Sequence, residues 1–424
     1  MSQSLSTLYV NKPGALKEMS ASGYAIIFSV SFISSLFGGV TSTLMSVYLP
    51  IAVKDLLGNV STSRLNEVGA YINAVFIFGW TFGGFIWGLI SDRLGRAKSV
   101  TLSTACFGLF TLLTAFAPNW FIASVCRFLS GFGVGGVLVT TTILMSEAWS
   151  EKKRAVMLGF LSISIPVGIF SAGLINYFLP QWRQAFAVGL VPIILSVISI
   201  FILPESAKWK SNKNSPTRKE IGEDRLFASS NTKNLVTGSL IFGTMLIGMW
   251  AIFSWLPTWV QSFSSEDAQH QRGLSMMLLG AGGLTGGFIS GWIVNAIGLR
   301  RTMLICFAVC LIMSFLLFKL NHSFSVAAYI EIAILALFFG ISQGVLSVYI
   351  PGLFPTRSRA AATGFCFNLG RLFTGTAVFF VGALVTFLGG YGNAIFIFSL
   401  TFLVGFVVTY FKNESATSVI DKEN

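Results

Sequence analysis

The stretch GGFIWGLISDRLGRAK, residues 83–98, joins a glycine-rich apolar segment to a dense group of charges. Asp92, Arg93 and Arg96 lie close together there, and another apolar run follows directly. A related stretch, GGFISGWIVNAIGLRR, occupies residues 286–301. The recurrence of such a loop between apolar runs indicates a chain built from two similar halves.

The composition indicates a membrane protein. Of the 424 residues, 54% are hydrophobic and only 10% are charged, whereas soluble proteins carry about 25% charged residues. The polar segment 1–22 and the long apolar run after it do not resemble a signal peptide. All five Cys lie in apolar runs, without a CxxC motif or a His cluster. We therefore expect no metal, no cofactor and no disulfide.

Twelve apolar runs are long enough to span a bilayer. They are residues 23–50, 67–90, 98–117, 120–146, 155–178, 185–204, 235–260, 273–297, 302–320, 326–350, 360–388 and 393–411. The longest polar gap follows the sixth run. The predicted domains are therefore an N-terminal six-helix bundle (1–204), a cytoplasmic linker (205–234) and a C-terminal six-helix bundle with a tail (235–424). The predicted fold is an all-α polytopic membrane protein with two six-helix pseudo-repeats around a central cavity.

The distribution of positive charge predicts the orientation. Most of the 28 Lys and Arg residues fall in the loops that share a side with the N-terminus. Positively charged loops stay in the cytoplasm during insertion, so both termini are expected there. This asymmetry accounts for most of the net charge of +12 without a nucleic-acid partner. We expect a monomer in a lipid bilayer, the plasma (inner) membrane of a bacterium.

A second repeated pair supports a transporter. EAWSEKKRAVMLGF (147–160) corresponds to GLFPTRSRAAATGF (352–365), each after the fourth span of its half. Two six-span halves of the same sense, with basic loops at matching places, are typical of parallel-repeat transporters. No catalytic triad or phosphate-binding loop is visible in the sequence, so an enzyme is not expected. A non-transporting membrane sensor remains the alternative of a different class.

Several motifs resemble those of the major facilitator superfamily, and the resemblance covers nearly the whole chain. The pattern that begins at Gly88 and ends at Arg96 resembles the signature loop of that superfamily, and Arg127-x-x-x-Gly131 resembles its fourth-span motif. Pro204-Glu205-Ser206 and residues 354–371 resemble the sugar-porter and organic-acid (sialate, aromatic acid) symporter branches. The resemblance implies alternation between outward-open and inward-open states around a central cavity.

The charged loops predict a gate at the cytoplasmic face. The resemblance implies that Asp92 latches the two halves, by accepting hydrogen bonds from a facing helix N-terminus or by pairing with a basic residue. The copy has Asn295 at the matching position, so its latch should be weaker. The alternative is that these charges only fix topology, cap helices or lie solvated in loops. The predicted gating residues are Gly88, Asp92, Arg93, Gly95, Arg96, Glu147, Arg154, Glu205 and Arg359.

Two arginines within spans indicate the substrate site. A charge inside a membrane is costly, so Arg127 and Arg371 should face a cavity or a partner. At 1.5 Å per residue the two lie at nearly the same depth, in opposite halves. Polar or aromatic residues nearby complete the predicted substrate-binding set. It consists of Arg127, Arg371, Asn368, Gln343, Trp250, Trp255, Tyr48 and Asn73.

A missing acid bears on the substrate. Relatives coupled to protons commonly have an Asp in the first span that pairs with the fourth-span arginine, but residues 37–40 read FGGV. We therefore favour a small organic anion, a carboxylate or acidic sugar, bound by guanidinium. A neutral sugar or polyol facilitator or symporter, with Arg127 structural, is the alternative. An efflux antiporter, suggested by IPVGIFSAG (165–173), is third. Glu331 is the candidate for carrying a coupling proton.

Overall fold

The computed structural model describes residues 20–213, 229–354 and 359–411. Within these ranges, twelve helices are long and apolar enough to cross a membrane. They are α1 (Ala21–Leu57), α2 (Thr62–Leu94), α3 (Arg96–Ala115), α4 (Trp120–Ala148), α5 (Glu151–Phe178), α6 (Trp182–Ile202), α7 (Ser229–Gln261), α8 (Gln269–Ile297), α9 (Leu299–Leu320), α10 (Val326–Gly352), α11 (Arg359–Phe387) and α12 (Tyr391–Phe411). The predicted spans and the all-α fold class are confirmed.

These segments are helical because they lie in the apolar interior of a membrane. In a bilayer every backbone polar group needs a partner within the segment, so apolar runs of this length form helices. Polar residues at their starts cap free N–H groups, as when Asn119 Oδ1 accepts from the Ile122 N–H at 3.0 Å. The sequence predicts that the first span ends at Pro50, whereas α1 continues to Leu57. A proline removes one backbone hydrogen bond but does not by itself end a helix.

The helix bundle has two ends, one on each side of the membrane. We call the end where α1 begins the inner face, because the charge distribution predicts that it lies in the cytoplasm. The opposite end is the outer face. The first half of the chain, α1–α6, is followed at the inner face by a short linker helix, Ala207–Lys213. The rest of the predicted linker, up to the start of α7, lies outside the described residues.

The two halves repeat each other in backbone detail. Gly95 links α2 to α3 with φ +110°, and Gly298 links α8 to α9 with φ +86°. Only glycine adopts such angles without strain. A Cβ on Gly83 would lie 2.0 Å from the Phe132 carbonyl oxygen, so α2 and α4 pack backbone to backbone. A Cβ on the matching Gly286 would lie equally close to the α10 backbone, 2.0 Å from the Leu337 carbonyl oxygen.

The halves contact each other closely near the outer face. Two cross-half helix pairs, α2 with α11 and α5 with α8, form most of this interface. A Cβ on Gly382 of α11 would lie 2.4 Å from the Asn66 carbonyl oxygen of α2. A Cβ on Gly173 of α5 would lie 2.6 Å from the Gly273 carbonyl oxygen of α8. No larger residue fits at these contacts without moving the helices apart.

The same helix pairs separate toward the inner face. No described atom of another element lies within 4 Å of a Cβ built on Gly159 of α5 or on Gly291 of α8. In α2, the nearest neighbour of such a Cβ on Gly88 is Val139 of its own half, at 3.9 Å. The halves therefore form a wedge that is closed at the outer face and open at the inner face.

Candidate functional site

The charged loop at the inner face forms a network centred on Arg96. Its guanidinium donates to Asp92 Oδ1 at 2.7 Å and to Glu147 Oε1 at 3.1 Å. Glu205 Oε1 accepts from the backbone N–H groups of Arg96 and Ala97, at 2.7 and 3.0 Å. A carboxylate at the start of α3 satisfies free donors and complements the helix dipole. The network therefore ties α2, α3, α4 and the end of α6 into one unit.

Gly95 is required by this network as well as by its backbone angle. A Cβ there would lie 2.3 Å from Glu205 Oε2 and 3.4 Å from the Trp209 ring. Trp209, on the linker helix, donates its indole N–H to the Asp92 carbonyl at 3.0 Å. The signature glycine thus lets the segment after α6 cover the loop between α2 and α3.

Other predicted gating residues lie around this network rather than in it. Arg93 is exposed at the end of α2. Arg154 is half-buried, and its Nε has no hydrogen-bond partner among the described residues. Arg359 begins α11, and its side chain lies outside the described residues. Asp92 and Glu147 both form ion pairs with Arg96, in their own half.

The packing of the signature glycines differs from the prediction. The family resemblance implies that the glycine face of α2, which carries Gly83, Gly84 and Gly88, packs against α11. Only part of that face does so, because a Cβ on Gly84 would lie 3.1 Å from Asn368 Oδ1, whereas Gly83 packs on Phe132 of α4. Gly88 faces Val139, also of α4. In this inward-open shape, the inner part of α2 packs within its own half.

The second half uses a different contact at the matching place. Arg300 Nε, at the start of α9, donates to the Thr409 carbonyl at 3.2 Å, and its Nη2 donates to the Tyr410 carbonyl. These carbonyls lie in the last turn of α12, where a cation complements the helix dipole. One half thus caps a helix start with an acid, and the other caps a helix end with a base.

Arg371 lies between the halves and is the centre of the candidate substrate site. Its guanidinium carbon is 5.7 Å from the centroid of Trp80, in α2 of the opposite half. Trp80 in turn meets Trp250 of α7 edge to face, with centroids 5.3 Å apart. Within the described residues, the one hydrogen bond of Arg371 is to Asn368 Oδ1 at 3.4 Å. The side chain is only half-buried, so it faces the open wedge.

Arg127 lies elsewhere, inside the first half. It is 1% exposed, and its Nη2 donates to the Thr41 carbonyl at 3.0 Å. The guanidinium carbon lies 4.1 Å from the Phe76 centroid and 5.9 Å from the Phe186 centroid. A cation over aromatic faces and a carbonyl is stabilised without a carboxylate. This geometry favours the structural alternative for Arg127 over substrate binding.

Three further predicted substrate residues lie toward the outer closure. Tyr48 is fully buried and donates to the Leu179 carbonyl at 2.6 Å, within its own half. Asn73 Nδ2 donates to the Ser254 carbonyl of α7 at 3.3 Å, and so joins the halves. Trp255 is 1% exposed and stacks on Tyr391. None of the three faces the inner opening in this conformation.

Gln343 and Glu331, both on α10, differ in their surroundings. The Nε2 of Gln343 is buried and has no hydrogen-bond partner among the described residues. The Glu331 carboxylate accepts from Asn321 Nδ2 at 2.6 Å, at the outer end of the helix. It therefore belongs to the outer loop rather than to the surroundings of Arg371.

Arg272 forms a contact between the halves that the sequence analysis missed. It is fully buried near the start of α8, and its Nε donates to the Val47 carbonyl of α1 at 3.1 Å. It also forms an ion pair with Asp267 at 2.6 Å and a hydrogen bond with Gln261. The sequence placed Arg272 in an outer loop just before the eighth span. The structure shows that it joins the two halves at the closed face.

This chain belongs to the Major Facilitator Superfamily, whose sequence model matches residues 27–376. It is 25% identical over 377 residues to the cis,cis-muconate transport protein of Acinetobacter baylyi, covering 86% of this chain and 88% of that protein. It is 25% identical over 381 residues to a gallate transporter of Pseudomonas putida, covering 82% of each. It is also 27% identical over 354 residues to the sialic acid transporter NanX of Escherichia coli, covering 79% of this chain and 84% of that protein.

Solved structures support the same fold. The inward-open xylose transporter XylE of Escherichia coli superposes with a TM-score of 0.77, at 17% identity, covering 94% of this chain and 99% of that one. The chain is thus an integral membrane transporter of small molecules, not an enzyme. Members of this superfamily work by alternating access, and the wedge described above is closed at the outer face and open at the inner face.

Proposed function

We propose that this protein carries a small organic anion, a carboxylate or an acidic sugar, across the membrane, and that Arg371 binds the anionic group. The observation that carries the proposal is the half-buried side chain of Arg371, whose one hydrogen bond within the described part of the chain is to Asn368. No ion pair with a described carboxylate neutralises it. A substrate carboxylate would neutralise the charge and accept two parallel N–H donors of the fork.

The surroundings of Arg371 support an organic rather than an inorganic anion. Trp80 and Trp250 present aromatic surface from opposite halves beside the guanidinium. Flat apolar surface next to one charged group suits a carbon skeleton that carries a carboxylate. The relatives named as muconate, gallate and sialic acid transporters support the same substrate class.

A neutral sugar is the second candidate. The glucose transporter GlcP of Staphylococcus epidermidis is 28% identical over 395 residues, and the fold resembles that of a xylose transporter. Under this alternative Arg371 donates hydrogen bonds to hydroxyl groups. The efflux alternative rests only on the partial motif at residues 165–173, whose Pro166 lies beside Gly283 of the other half, 3.6 Å from a Cβ built there.

Uptake by proteoliposomes tests the substrate class. The purified chain is assayed with labelled benzoate, cis,cis-muconate and N-acetylneuraminate, and with xylose and glucose. We expect the protein to transport at least one of the acids and neither of the two sugars. Because a hydrogen-bonded charge contributes about 1.5–3 kcal/mol, Arg371→Ala should slow acid uptake by about tenfold or more. Arg64→Ala, at an exposed ion pair with Glu67, is the matched control and should transport normally.

Two results would contradict the anion proposal. One is uptake of a sugar with no uptake of any acid. The other is acid uptake by Arg371→Ala at the wild-type rate, with the same protein amount in the vesicles. Folding of each variant is checked by its melting temperature, so that loss of protein is not taken for loss of binding.

We also propose the finer features of location and coupling. The excess of Lys and Arg in inner loops supports cytoplasmic termini in a bacterial plasma membrane. We propose that the protein acts as a monomer, since the repeat within one chain supplies both halves of the central site. Symport with a proton is proposed from the resemblance alone. Glu331 is the carrier that the sequence analysis names, but its hydrogen bond to Asn321 at the outer end of α10 does not support that role.

A further inference from the structure

A small cavity lies between the two halves near the outer face, apart from the Arg371 site. Its volume is about 150 Å³. Helices α1 and α2 line it from one half, and α7 and α12 line it from the other. We call it the outer cavity. Its lining residues are Leu49, Pro50, Val53, Thr62, Leu65, Asn66, Trp255, Thr258, Gln261, Ser262 and Tyr391.

Two buried donors at this cavity have no partner in the described protein. Trp255 is 1% exposed and Thr258 is 8% exposed, yet neither the indole Nε1 nor the hydroxyl Oγ1 has a hydrogen bond among the described residues. Leaving a buried polar group without a partner costs about 1–3 kcal/mol. Two such groups lining one cavity indicate that a bound molecule supplies the missing acceptor.

The free hydroxyl of Thr258 is unusual for this chain. Buried Thr side chains in its helices generally donate to the carbonyl four residues earlier, as Thr244 does to Leu240 at 2.7 Å. For Thr258 that carbonyl belongs to Ser254, which instead accepts from Asn73 of the opposite half at 3.3 Å. The contact that closes the halves thus occupies the usual partner of the hydroxyl.

Several other polar groups of the cavity already have hydrogen-bond partners. Tyr391 and Asn66 hydrogen-bond to each other across the halves. The Gln261 amide accepts from the Ala268 N–H at 3.0 Å and donates to the carbonyl of the following loop. None of the lining residues carries a carboxylate, an ammonium, a guanidinium or an imidazole. The cavity therefore offers two free donors in neutral, largely apolar surroundings.

We propose that the outer cavity is a second binding site, for an uncharged, single-ring molecule that carries a hydrogen-bond acceptor. A cavity of this volume is large enough for a benzene-sized ring. The acceptor atom of this molecule accepts hydrogen bonds from the indole N–H of Trp255 and the hydroxyl of Thr258. A carboxylate is not bound, because no lining residue of the cavity supplies a positive charge that would replace the hydration of the carboxylate.

Occupation of this site acts on transport through the gate. The cavity exists only while the outer ends of the two halves are together, so its ligand binds one conformation and increases its population. A molecule bound there therefore holds the outer face closed. Added from outside, it lowers the maximal rate of uptake without competing for the Arg371 site.

Binding is tested on the purified full chain in nanodiscs, with benzamide as the probe and benzoate as its charged counterpart. We expect benzamide to bind more tightly than benzoate. Thr258→Val keeps the shape but removes the hydroxyl, and should weaken benzamide binding about threefold to tenfold, the equivalent of one hydrogen bond. Trp255→Phe should act in the same direction. Thr244→Val, which removes a buried hydroxyl of α7 away from the cavity, and Arg371→Ala are controls and should leave benzamide affinity unchanged.

The proposal is overturned if benzamide does not bind wild-type protein. It is also overturned if Arg371→Ala abolishes benzamide binding while Thr258→Val leaves the benzamide affinity unchanged. The second result would place benzamide in the central site. If Trp255→Phe fails to fold, Thr258→Val alone decides. These binding measurements do not depend on which solute is transported, so failure of the anion proposal and failure of this one are distinguishable.

Discussion

Arg127 and Arg371 are both arginines within membrane-spanning helices, but their surroundings indicate different roles. Arg127 is enclosed by Phe76, Phe186 and the Thr41 carbonyl. Arg371 faces the wedge between the halves. A guanidinium that is already enclosed cannot reach a substrate, whereas one at the edge of an opening can. The difference lies in the neighbours of each side chain and not in its depth.

We therefore predict opposite effects of the two alanine variants. Arg127→Ala should lower the stability by about 2–4 kcal/mol, since it leaves a cavity beside Phe76 and Phe186 and removes a buried hydrogen bond to the Thr41 carbonyl. Arg371→Ala should keep the melting temperature and lose binding of the acid. Thermal unfolding of both proteins, with and without the transported acid, measures the contrast. A normal melting temperature for Arg127→Ala would contradict the structural role.

Glu331 gives a second prediction at this scale. Its carboxylate binds Asn321 at the outer end of α10, away from the surroundings of Arg371. Glu331→Gln keeps the shape and removes the carboxylate, so we expect uptake with an unchanged dependence on pH. The rate is measured in proteoliposomes between about pH 5 and 8, where a coupling carboxylate would titrate. Loss of the pH dependence in this variant would assign proton coupling to Glu331.

At the scale of elements, the inner-face network explains why the acid follows α6. Glu205 does not lie solvated in a loop, because its carboxylate caps the start of α3 through two backbone N–H groups. Gly95 allows that approach, and Trp209 covers it. The motifs that resemble the superfamily signature thus form one structural unit of the first half, whatever they contact in the outward-open state.

We predict that Glu205→Gln destabilises this unit. The variant keeps one acceptor oxygen but loses the charge that complements the helix start, a contribution of about 0.3–2 kcal/mol. Thermal unfolding should show a lower melting temperature than that of Glu266→Gln, an exposed loop residue that serves as the matched control. Equal melting temperatures for the two variants would mean that Glu205 contributes no measurable capping.

At the scale of the whole molecule, the outer closure is built from hydrogen bonds that cross between the halves. Arg272 binds the Val47 carbonyl, and Asn73 binds the Ser254 carbonyl. Alternating access requires these contacts to break, because the central site opens to the outer side only when the outer ends separate. A fully buried arginine that bonds to the opposite half therefore influences the balance between the two states.

Removal of Arg272 should shift this balance toward the outward-open state. Spin labels at Ser63 and Thr386, whose hydroxyl oxygens lie 3.5 Å apart across the outer interface, are placed in a background without native Cys. We expect Arg272→Met to add longer distances to the measured distribution. Arg183→Met is the matched control, because Arg183 binds Asp55 within one half. An unchanged distribution in Arg272→Met would show that other contacts keep the outer face closed.

The sequence by itself determined the twelve spans, the repeat of six and six helices and the superfamily, because length, apolarity and glycine spacing are local properties. It also named Arg371 as a candidate substrate residue, which stays a prediction. Only the tertiary structure decided that Arg127 is enclosed and that Arg272 joins the halves. Both bind backbone carbonyls, of Thr41 and Val47, and a carbonyl is present at every residue, so such a partner leaves no pattern in the sequence. The rotation of each helix about its axis, fixed by packing, selects which carbonyl a buried arginine reaches.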